Sequence, residues 1–526
     1  MALDLLVTNG LIIDGSGNPG FYGSVAVTGD EVHVLRGDTG NLGPVRTIDA
    51  TGKIVCPGFI DMHAHSGLVI LAEPRHEPKV RQGITTELVG VDGNSYAPFT
   101  SHDDFLQFVE LNSGLDGNPP LPGRWSSVAE YLQMFDAKVS VNIAYIIGNS
   151  PVRICAMGWD DRPGSPAGIA NMRAILREGM EEGGFGISTG LDYPPGSYAD
   201  TDELIQLCQE VAGLGGIYHT HVRNGLGDRF LDPIKEAIEI GRRSGIPSHV
   251  THLYQRVTAP GGGRRILELV EDAREEGLDV TFDSYPYTFS STRLLIILPQ
   301  WCQSGGPRAL KEVLRSGEGR ERLRAEVRPR GLSWHEMWVT YFKHPKNHRY
   351  EGWSVGEIAE NTGENPVDVV CDLLLDEDLQ TSYVTPGPNG ATLPDFVKHP
   401  LSMVGSDAVL LGDFPSPRTY GTFPVILSEY VREERVMSLP DAIRKMTSFP
   451  AQRLGLSGRG LLRDGFKADV VVFDPDTVKA PATRQDPKQF PVGIDYVIVN
   501  GTVVIDGQTH TGATPGRALK RSRWGG

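Results

Sequence analysis

Short apolar runs alternate with helical stretches through the middle of the chain, and this alternation restricts the fold more than any other feature. Helical periodicity is clearest at 202–214 and 232–244. The predicted strands include 84–89, 144–147, 184–188, 217–219, 248–251 and 280–283. Strands that alternate with helices form parallel sheets, and about eight such units close into a (β/α)8 TIM-like barrel. Residues about 302–385 are more charged, and we expect them to form inserted lid helices before the last barrel strand.

The two ends of the chain have a different, all-β pattern. Asn9-Gly10 near the N-terminus and Asn500-Gly501 near the C-terminus each lie between apolar runs. Asn-Gly pairs favour two-residue β-hairpin turns, so we expect a hairpin at both places. We therefore predict an α/β protein with a small β-sandwich domain from residues 1–58 and 450–526, and a barrel from residues 59–449.

Composition and charge narrow the classes of function. The 526 residues carry 50 Lys and Arg against 66 Asp and Glu, and the net charge of −16 disfavours binding to nucleic acid or anionic lipid. No apolar run approaches the roughly 18 residues of a membrane span, and the first residues do not resemble a signal peptide. Five scattered cysteines indicate neither a zinc knuckle nor a disulfide framework. We expect a cytoplasmic protein that acts on a small molecule and could form a homo-oligomer.

The sharpest local motif is a His-x-His pair, His63 and His65, which follows the apolar run 56–60. Residues i and i+2 of a strand point to the same side, so the two imidazoles can bind one metal ion at the carboxyl end of the strand. A structural role for the pair fits the sequence equally well. Asp92 follows the next apolar strand, where a carboxylate could bind metal, although Asp92-Gly93 is also a common turn.

Two later strands also end in histidines. His219 and His221 share one strand face, whereas His249 and His252 do not, so one of the second pair must point away. Asp407 ends the last strand, where a carboxylate suits a general base near an activated water. Buried structural histidines and a turn-capping aspartate are the alternatives. Barrel enzymes place their chemistry at the carboxyl ends of the strands, and imidazole and carboxylate ligands there favour zinc.

Together these motifs resemble the amidohydrolase superfamily, and most closely its N-acyl-D-amino-acid deacylase (D-aminoacylase) branch. The resemblance covers almost the whole chain. The segments that carry it are PGFIDMHAHSG (57–67), QGITTELVG (82–90), GFGISTGLDYPPGSYADTDEL (184–204), THVRN (220–224), THL (251–253), DSYPYTFSST (283–292), HPLSMVGSDA (399–408), PRTYGTFP (417–424) and RKMTSFPAQRLGL (444–456). It implies a zinc-dependent hydrolase of a linear amide bond, in the first place that of N-acyl-D-amino acids.

The resemblance also implies a metal centre with one or two Zn²⁺ ions. Four histidines match its two metal positions: His63 and His65 at one, His221 and His252 at the other. Asp407 matches the catalytic acid/base and is a further ligand. Zinc lowers the pKa of a bound water toward about 7, and Asp407 would accept the proton of that water and later protonate the leaving amine.

Asp92 is a departure from the family, which has a bridging cysteine in a Gly-Asn-Cys-Gly segment. A carboxylate can also bridge two ions, but it is a harder ligand than a thiolate and changes the metal preference. Hydantoinase-like relatives bridge their metals with a carboxylated lysine. No lysine lies between Lys138 and Lys235, where that strand is expected, so the sequence argues against a lysine-bridged site.

Further matches concern the substrate, which we expect to carry a carboxylate. Arg418 and Tyr285 resemble the family's carboxylate contacts, although surface ion pairing is an alternative role for the arginine. Additional candidate contacts are Tyr254, Ser291 and Arg293.

Two departures keep a second reaction open. Tyr254 stands where the family usually has lysine, and Ser416 stands where a His-Pro-Arg segment is common. They favour, as the alternative, a cyclic amide or lactam as substrate, or a deaminase or decarboxylase on the same scaffold. A non-catalytic metal-binding protein is the third hypothesis, and the presence of all six metal and base positions argues against it.

Overall fold

The computed structural model describes residues 3–37, 42–224, 229–259 and 261–521. Its strands are β1 (Leu5–Ile12), β2 (Phe21–Thr28), β3 (Glu31–Leu35), β4 (Arg46–Asp49), β5 (Ile54–Pro57), β6 (Phe59–Ala64), β7 (Ile84–Val89), β8 (Asn142–Tyr145), β9 (Ile147–Gly148), β10 (Gly186–Gly190), β11 (Ile217–His221), β12 (Ser248–Val250), β13 (Val280–Ser284), β14 (Phe289–Arg293), β15 (Trp338–Tyr341), β16 (Ser382–Pro386), β17 (Ser402–Val404), β18 (Val470–Phe473), β19 (Ile494–Val499), β20 (Thr502–Asp506) and β21 (Thr509–His510).

Its α-helices are α1 (Val69–Ala72), α2 (Glu77–Val80), α3 (His102–Asp116), α4 (Val128–Gln133), α5 (Asn149–Met157), α6 (Pro166–Glu182), α7 (Thr201–Gly213), α8 (Asp232–Ser244), α9 (Gly263–Glu275), α10 (Gly306–Arg315), α11 (Gly317–Glu326), α12 (Val355–Thr362), α13 (Pro366–Asp376), α14 (Leu393–Lys398), α15 (Arg418–Val425), α16 (Leu439–Met446) and α17 (Ser448–Leu454). No helix within the described ranges combines the length and the apolarity of a membrane span.

Parallel strands form the predicted TIM-like barrel. One run has the order β6-β7-β8, and the other has the order β9-β10-β11-β12-β13-β17. β8 and β9 are two parts of one interrupted strand, and the Ile146 N–H between them donates to the Val89 carbonyl (2.9 Å). The ring closes where Ala64 on β6 forms a parallel bridge with Ala408 just after β17. All eight carboxyl ends therefore face one side of the barrel.

Helices cover the outside of the barrel, so its strands are buried on both faces. α8 illustrates the packing, because its buried residues Ile234, Ala237, Ile238 and Gly241 follow helical spacing. The helix ends before Gly245, whose left-handed backbone (φ 72°) terminates it. β6, β7 and β11 are buried along their whole length, as expected for parallel strands between two layers.

Strands from both chain ends form one separate nine-stranded sheet, as predicted for the β domain. Its order is β21-β20-β19-β18-β5-β1-β2-β3, with β4 paired to β1. The two ends join where β18 pairs antiparallel with β5, in the register that places Val471 opposite Cys56. β5 leads directly into β6, so this sheet fixes the start of the barrel.

One hairpin prediction is confirmed and one is wrong. Asn500-Gly501 joins the antiparallel strands β19 and β20, with positive φ at both residues. Asn9-Gly10 instead lies inside the continuous strand β1, where the register to β2 shifts between Val7 and Gly10. The positive φ of Asn9 (61°) serves a bulge there, because a bulge and a hairpin turn both need a residue that tolerates that backbone.

The insertion before the last barrel strand contains more than the expected helices. Helices α10 to α13 lie in the predicted range, but an antiparallel sheet of order β14-β16-β15 accompanies them and begins at Phe289. The helices have their own core, in which Leu310, Leu314 and Leu374 are fully buried. Residues of this insertion line the cavity at the barrel mouth.

A buried ion-pair network fixes the first barrel strand to the last. Lys79 donates to Asp61 and to Ser406 Oγ (2.6 Å), and its Nζ lies 3.1 Å from Glu87 Oε1. Asp61 Oδ1 accepts the backbone N–H groups of His63 (3.1 Å) and Ser406 (2.8 Å). Both segments that enter the barrel mouth here therefore depend on one buried lysine.

Replacing this lysine tests the network. Lys79→Met leaves the buried Asp61 and Glu87 carboxylates without their cation, and removal of one partner of a buried pair costs about 3–5 kcal/mol. We expect equilibrium urea unfolding to show a loss of that size. Lys346→Met, which removes the exposed pair with Asp376, is the matched control and should change stability little. Equal effects of the two substitutions would contradict the role assigned to Lys79.

Candidate metal centre

Six side chains bring their ligand atoms together at the carboxyl ends of the barrel strands. All six were singled out in the sequence: His63, His65, Asp92, His221, His252 and Asp407. They come from β6 and the residue just after it, from the loop after β7, from β11, and from the segments after β12 and β17. Distant parts of the chain thus meet at one point because parallel barrel strands end on the same side.

Asp92 lies at the centre of the cluster. Its Oδ2 is 3.3 Å from His63 Nε2 and 3.7 Å from His65 Nε2. The same oxygen is 3.6 Å from His221 Nδ1 and 3.9 Å from His252 Nε2. Asp92 Oδ1 is buried and has no hydrogen-bond partner. One carboxylate therefore faces two pairs of imidazoles, which is the arrangement of a bridging ligand between two metal positions.

The cluster attracts positive charge. Burial lowers the pKa of His63, but Asp92 and Asp407 raise it to about 10. Burial likewise lowers the pKa of His221, whereas Asp192 and Asp92 raise it to about 9. A metal ion competes with protons for such nitrogens. Neutral imidazole and carboxylate are the ligands that zinc prefers, so the donor set fits zinc.

Two carboxylates orient the histidine rings from outside the cluster. Asp116, at the end of α3, lies with Oδ1 2.8 Å from His65 Nδ1, and its Oδ2 accepts the Tyr96 hydroxyl (2.6 Å). Asp192, just after β10, lies 3.5 Å from His221 Nε2. Each contact leaves the other ring nitrogen free toward Asp92, as such partners do for metal-binding histidines.

A third carboxylate, Asp283 at the end of β13, supports two strands at once. It accepts the His252 backbone N–H (2.7 Å) and lies 2.9 Å from His249 Nε2. None of the three orienting aspartates was predicted from the sequence. A faint signal existed for Asp116, because an acidic residue in the last turn of a helix opposes the helix dipole.

The other histidines of β11 and β12, His219 and His249, have structural roles. His219 Nε2 lies 3.0 Å from the Met62 carbonyl, and its ring stacks on His249 at 5.0 Å. Burial lowers the pKa of both rings, so they are neutral. His221 and His252 are thus the members of each pair that join the cluster.

Three residues of the cluster adopt left-handed backbone conformations. The φ angles are 55° for Asp92, 33° for His252 and 48° for Asp407. Non-glycine residues rarely adopt such angles, and they concentrate at functional sites. Gly190 permits the turn at Asp92, because any Cβ at Gly190 would collide with the Asp92 carbonyl oxygen.

Asp407 is held by Arg418. Its Oδ2 lies 2.8 Å from Arg418 Nη2, while its Oδ1 lies 3.6 Å from His63 Nε2 and 3.3 Å from His65 Nε2. Burial raises the pKa of Asp407, but Arg418 and His63 lower it well below its usual range. Arg418 is fully buried and also donates to the Ser291 carbonyl (3.0 Å). The structure therefore directs this guanidinium to Asp407, not to the open cavity.

A cavity of about 100 Å³ opens from the cluster, and three of the predicted substrate contacts line it: Tyr254, Tyr285 and Ser291. Ser291 Oγ is buried without a hydrogen-bond partner. Arg293 is not among the lining residues. Its guanidinium donates to the Leu111 carbonyl (2.9 Å) and lies over the Tyr193 ring, 4.8 Å from the centroid. It therefore supports the cavity wall from behind.

Known proteins share this architecture. A model of the amidohydrolase family matches residues 46–318 and 338–505. The N-acyl-D-aspartate deacylase of Alcaligenes xylosoxydans xylosoxydans is 34% identical over 98% of this chain and 95% of its own, and the D-aminoacylase of that organism is 33% identical over 99% and 98%. The crystal structure of N-acyl-D-glutamate deacylase from Bordetella bronchiseptica, complexed with zinc and a phosphonate inhibitor, has a TM-score of 0.83 at 31% identity, covering 99% of this chain and 100% of its own.

The orienting role of Asp116 is open to direct test. Asp116→Ala removes the contact that fixes His65, and loss of such a partner weakens metal affinity about 10–100-fold. We expect the variant to lose zinc earlier than the parent protein during titration with a competing chelator. Asp103→Ala changes an exposed aspartate of the same helix and is the control. Zinc affinities that are equal in the two variants would contradict the role of Asp116.

Proposed function

The chain belongs to the amidohydrolase family, and from this premise we propose that it is a zinc-dependent hydrolase that cleaves the linear amide bond of N-acyl-D-amino acids. The observation that carries the proposal is the pairing of the Asp92-centred histidine cluster with Asp407, a carboxylate kept ionised beside it. The relatives named above are deacylases of N-acyl-D-amino acids, which supports the choice of substrate.

The residues that would hold one zinc ion or two are His63, His65, Asp92, His221 and His252, with Asp407 beside them. When bound, zinc supplies a water of lowered pKa and polarises a carbonyl oxygen. Asp92 takes the central position in either case, because its carboxylate faces both histidine pairs.

Asp407 is the proton carrier of the proposed reaction. Its lowered pKa keeps it ionised at neutral pH, so Oδ1 can accept a proton on the side of the cavity that faces His63 and His65. Oδ2 stays with Arg418, which fixes the carboxylate in place. The same proton then passes to the nitrogen of the leaving amine, and Asp407 returns to its ionised form.

Hydroxyl groups on the cavity wall suit the substrate's α-carboxylate. The Tyr254 and Tyr285 hydroxyls lie 3.0 Å and 3.2 Å from Ser290 Oγ, and the Ser291 hydroxyl next to them has no partner. Arg418 stacks behind the Tyr285 ring, 4.3 Å from its centroid, and adds positive charge to this wall. A carboxylate bound here would accept a hydrogen bond from the unpartnered Ser291 hydroxyl, and the two tyrosine hydroxyls could donate to it in place of their contact with Ser290.

Amine release tests the proposed function. Zinc-supplemented protein is offered matched N-acetyl-D- and N-acetyl-L-amino acids, and the free amine is measured. We expect release from the D isomers only. Release from the L isomers, or turnover confined to cyclic amides and lactams with zinc bound, would contradict the proposal.

Asp407 should be dispensable for metal binding but not for turnover. Asp407→Asn removes the proton acceptor with little change in shape, and loss of general acid–base catalysis typically costs about 10²–10⁴-fold in rate. We expect kcat for an N-acetyl-D-amino acid to fall in that range while the zinc content stays unchanged. Asp413→Asn, at an exposed position nearby in the chain, should retain the parent rate. A near-normal kcat in Asp407→Asn would overturn the assignment.

Arg418 should set the acid limb of the pH profile. A base with a lowered pKa loses activity only as pH falls through that low value. In Arg418→Met the guanidinium no longer opposes the effect of burial, so the pKa of Asp407 should rise. As the pH is lowered, activity should then be lost at a higher pH than in the parent protein. We expect the acid limb of kcat/KM to move upward by about 1–3 pH units. Arg418→Lys should restore part of the difference, and an unchanged limb in Arg418→Met would contradict the coupling.

A further inference from the structure

One guanidinium in the cavity wall has no carboxylate at contact distance among the described residues. Arg256, in the segment after β12, lines the cavity and is half-buried. Its guanidinium carbon lies 5.8 Å from the centroid of the Tyr254 ring. Among the described residues it forms no ion pair at contact distance, and Asp192 is a carboxylate whose charge reaches it at longer range. The Arg256 backbone is held by an antiparallel bridge to Pro388, so the side chain starts from a fixed position.

The other charges of the cavity already have partners. Asp407 pairs with Arg418, and Asp92 faces the four histidines. Asp192 lies 3.5 Å from His221 Nε2 and 3.5 Å from Arg330 Nη1. Asp192 also attracts Arg256 at longer range, so one carboxylate serves two guanidinium groups and positive charge is in excess on this side of the described cavity. A half-buried cation without a counterion at contact distance has lost part of its hydration, and an anionic ligand would compensate that loss.

Arg330 lies near Arg256 in the same wall. Burial raises the pKa of Tyr383, and Arg330 and Arg256 both oppose that rise, so both charges act on one side of the cavity. Arg330 also donates to the Ile296 carbonyl (2.6 Å) and adopts a left-handed backbone (φ 52°). Two fixed cations thus lie apart from Arg418, whose guanidinium is committed to Asp407 and to backbone carbonyls.

We propose that Arg256, with Arg330 beside it, binds a second carboxylate of the substrate in addition to the α-carboxylate. The planar guanidinium of arginine recognises carboxylates through two parallel hydrogen bonds, which suits this chemistry. The second carboxylate belongs either to an acidic amino-acid side chain or to a dicarboxylic acyl group. The inference rests on the proposed function, because it names the class of N-acyl amino acid that the same site prefers.

Charged substrates and neutral isosteres separate these possibilities. Values of kcat/KM are measured for N-acetyl-D-aspartate against N-acetyl-D-asparagine, N-acetyl-D-glutamate against N-acetyl-D-glutamine, and N-succinyl-D-leucine against N-succinamoyl-D-leucine, the corresponding amide. We expect the parent protein to prefer the charged member of at least one pair. The pair that shows the preference identifies whether the side chain or the acyl group carries the second carboxylate.

Variants then assign the preference to Arg256. A hydrogen-bonded charge contributes about 1.5–3 kcal/mol, so Arg256→Gln should reduce the charged-to-neutral ratio about 10–100-fold. Arg256→Lys should retain part of the ratio, and Arg308→Gln, at an exposed position on α10, should leave it as in the parent protein. Arg256→Glu should reverse the order of kcat/KM for N-acetyl-D-glutamate and N-acetyl-D-lysine, so that the lysine derivative becomes the better substrate.

Two results would overturn the inference. One is a parent protein that does not prefer the charged member of any pair. The other is an Arg256→Gln variant that keeps the parent charged-to-neutral ratio, including one in which kcat/KM falls by the same factor for charged and neutral substrates. Failure of the proposed function is a different outcome, because then none of these N-acyl-D-amino acids, charged or neutral, releases an amine.

Discussion

The contact of one buried carboxylate with four imidazoles governs the architecture of the barrel mouth. Asp92 places a buried, negatively charged carboxylate at the point where the ends of β6, β11 and β12 converge, and the neighbouring histidine nitrogens face it. The left-handed backbone at Asp92 and the absence of a side chain at Gly190 are what allow the carboxylate to reach that point. Without a cation, the cluster would hold protons, and this competition ties its protonation to metal binding.

Around that centre, other charged groups act mainly through the residues that they orient. Asp116 and Asp192 fix the outward ring nitrogens of His65 and His221. Arg418 keeps Asp407 ionised and in place. Lys79 and Asp61 form a lower layer that holds the backbone on either side of the mouth. The proposed metal ligands, the proposed proton carrier and the supporting backbone are therefore each held by a buried group of opposite charge or by a hydrogen-bond partner.

The sequence was sufficient to predict the barrel fold and to single out all six residues that the structure brings together in the cluster. Each of them follows an apolar run, and the carboxyl ends of parallel strands meet on one side of a closed barrel. The positions of these residues along the chain were therefore enough to predict that they lie together in space. The orienting residues could not be obtained in this way. Asp116 lies on a helix and reaches His65 only through packing, and the Asp407–Arg418 pair joins a strand end to a helix start. The bulge at Asn9 was mistaken for a hairpin because both need a residue that tolerates positive φ, and the small sheet of the insertion was missed because its short strands have no distinctive pattern.

Asp92, the proposed central ligand, stands where the resemblance to the D-aminoacylase branch led us to expect a cysteine. A carboxylate is less polarisable than a thiolate and leaves a different balance of charge for any bound ion. Anomalous X-ray scattering at the zinc edge, on crystals of the zinc-loaded protein, tests this account most directly. We predict one or two peaks among His63, His65, His221 and His252, with Asp92 between the histidine pairs in contact with the metal. A zinc peak elsewhere, or a zinc site in which Asp92 turns away from the ion, would contradict it.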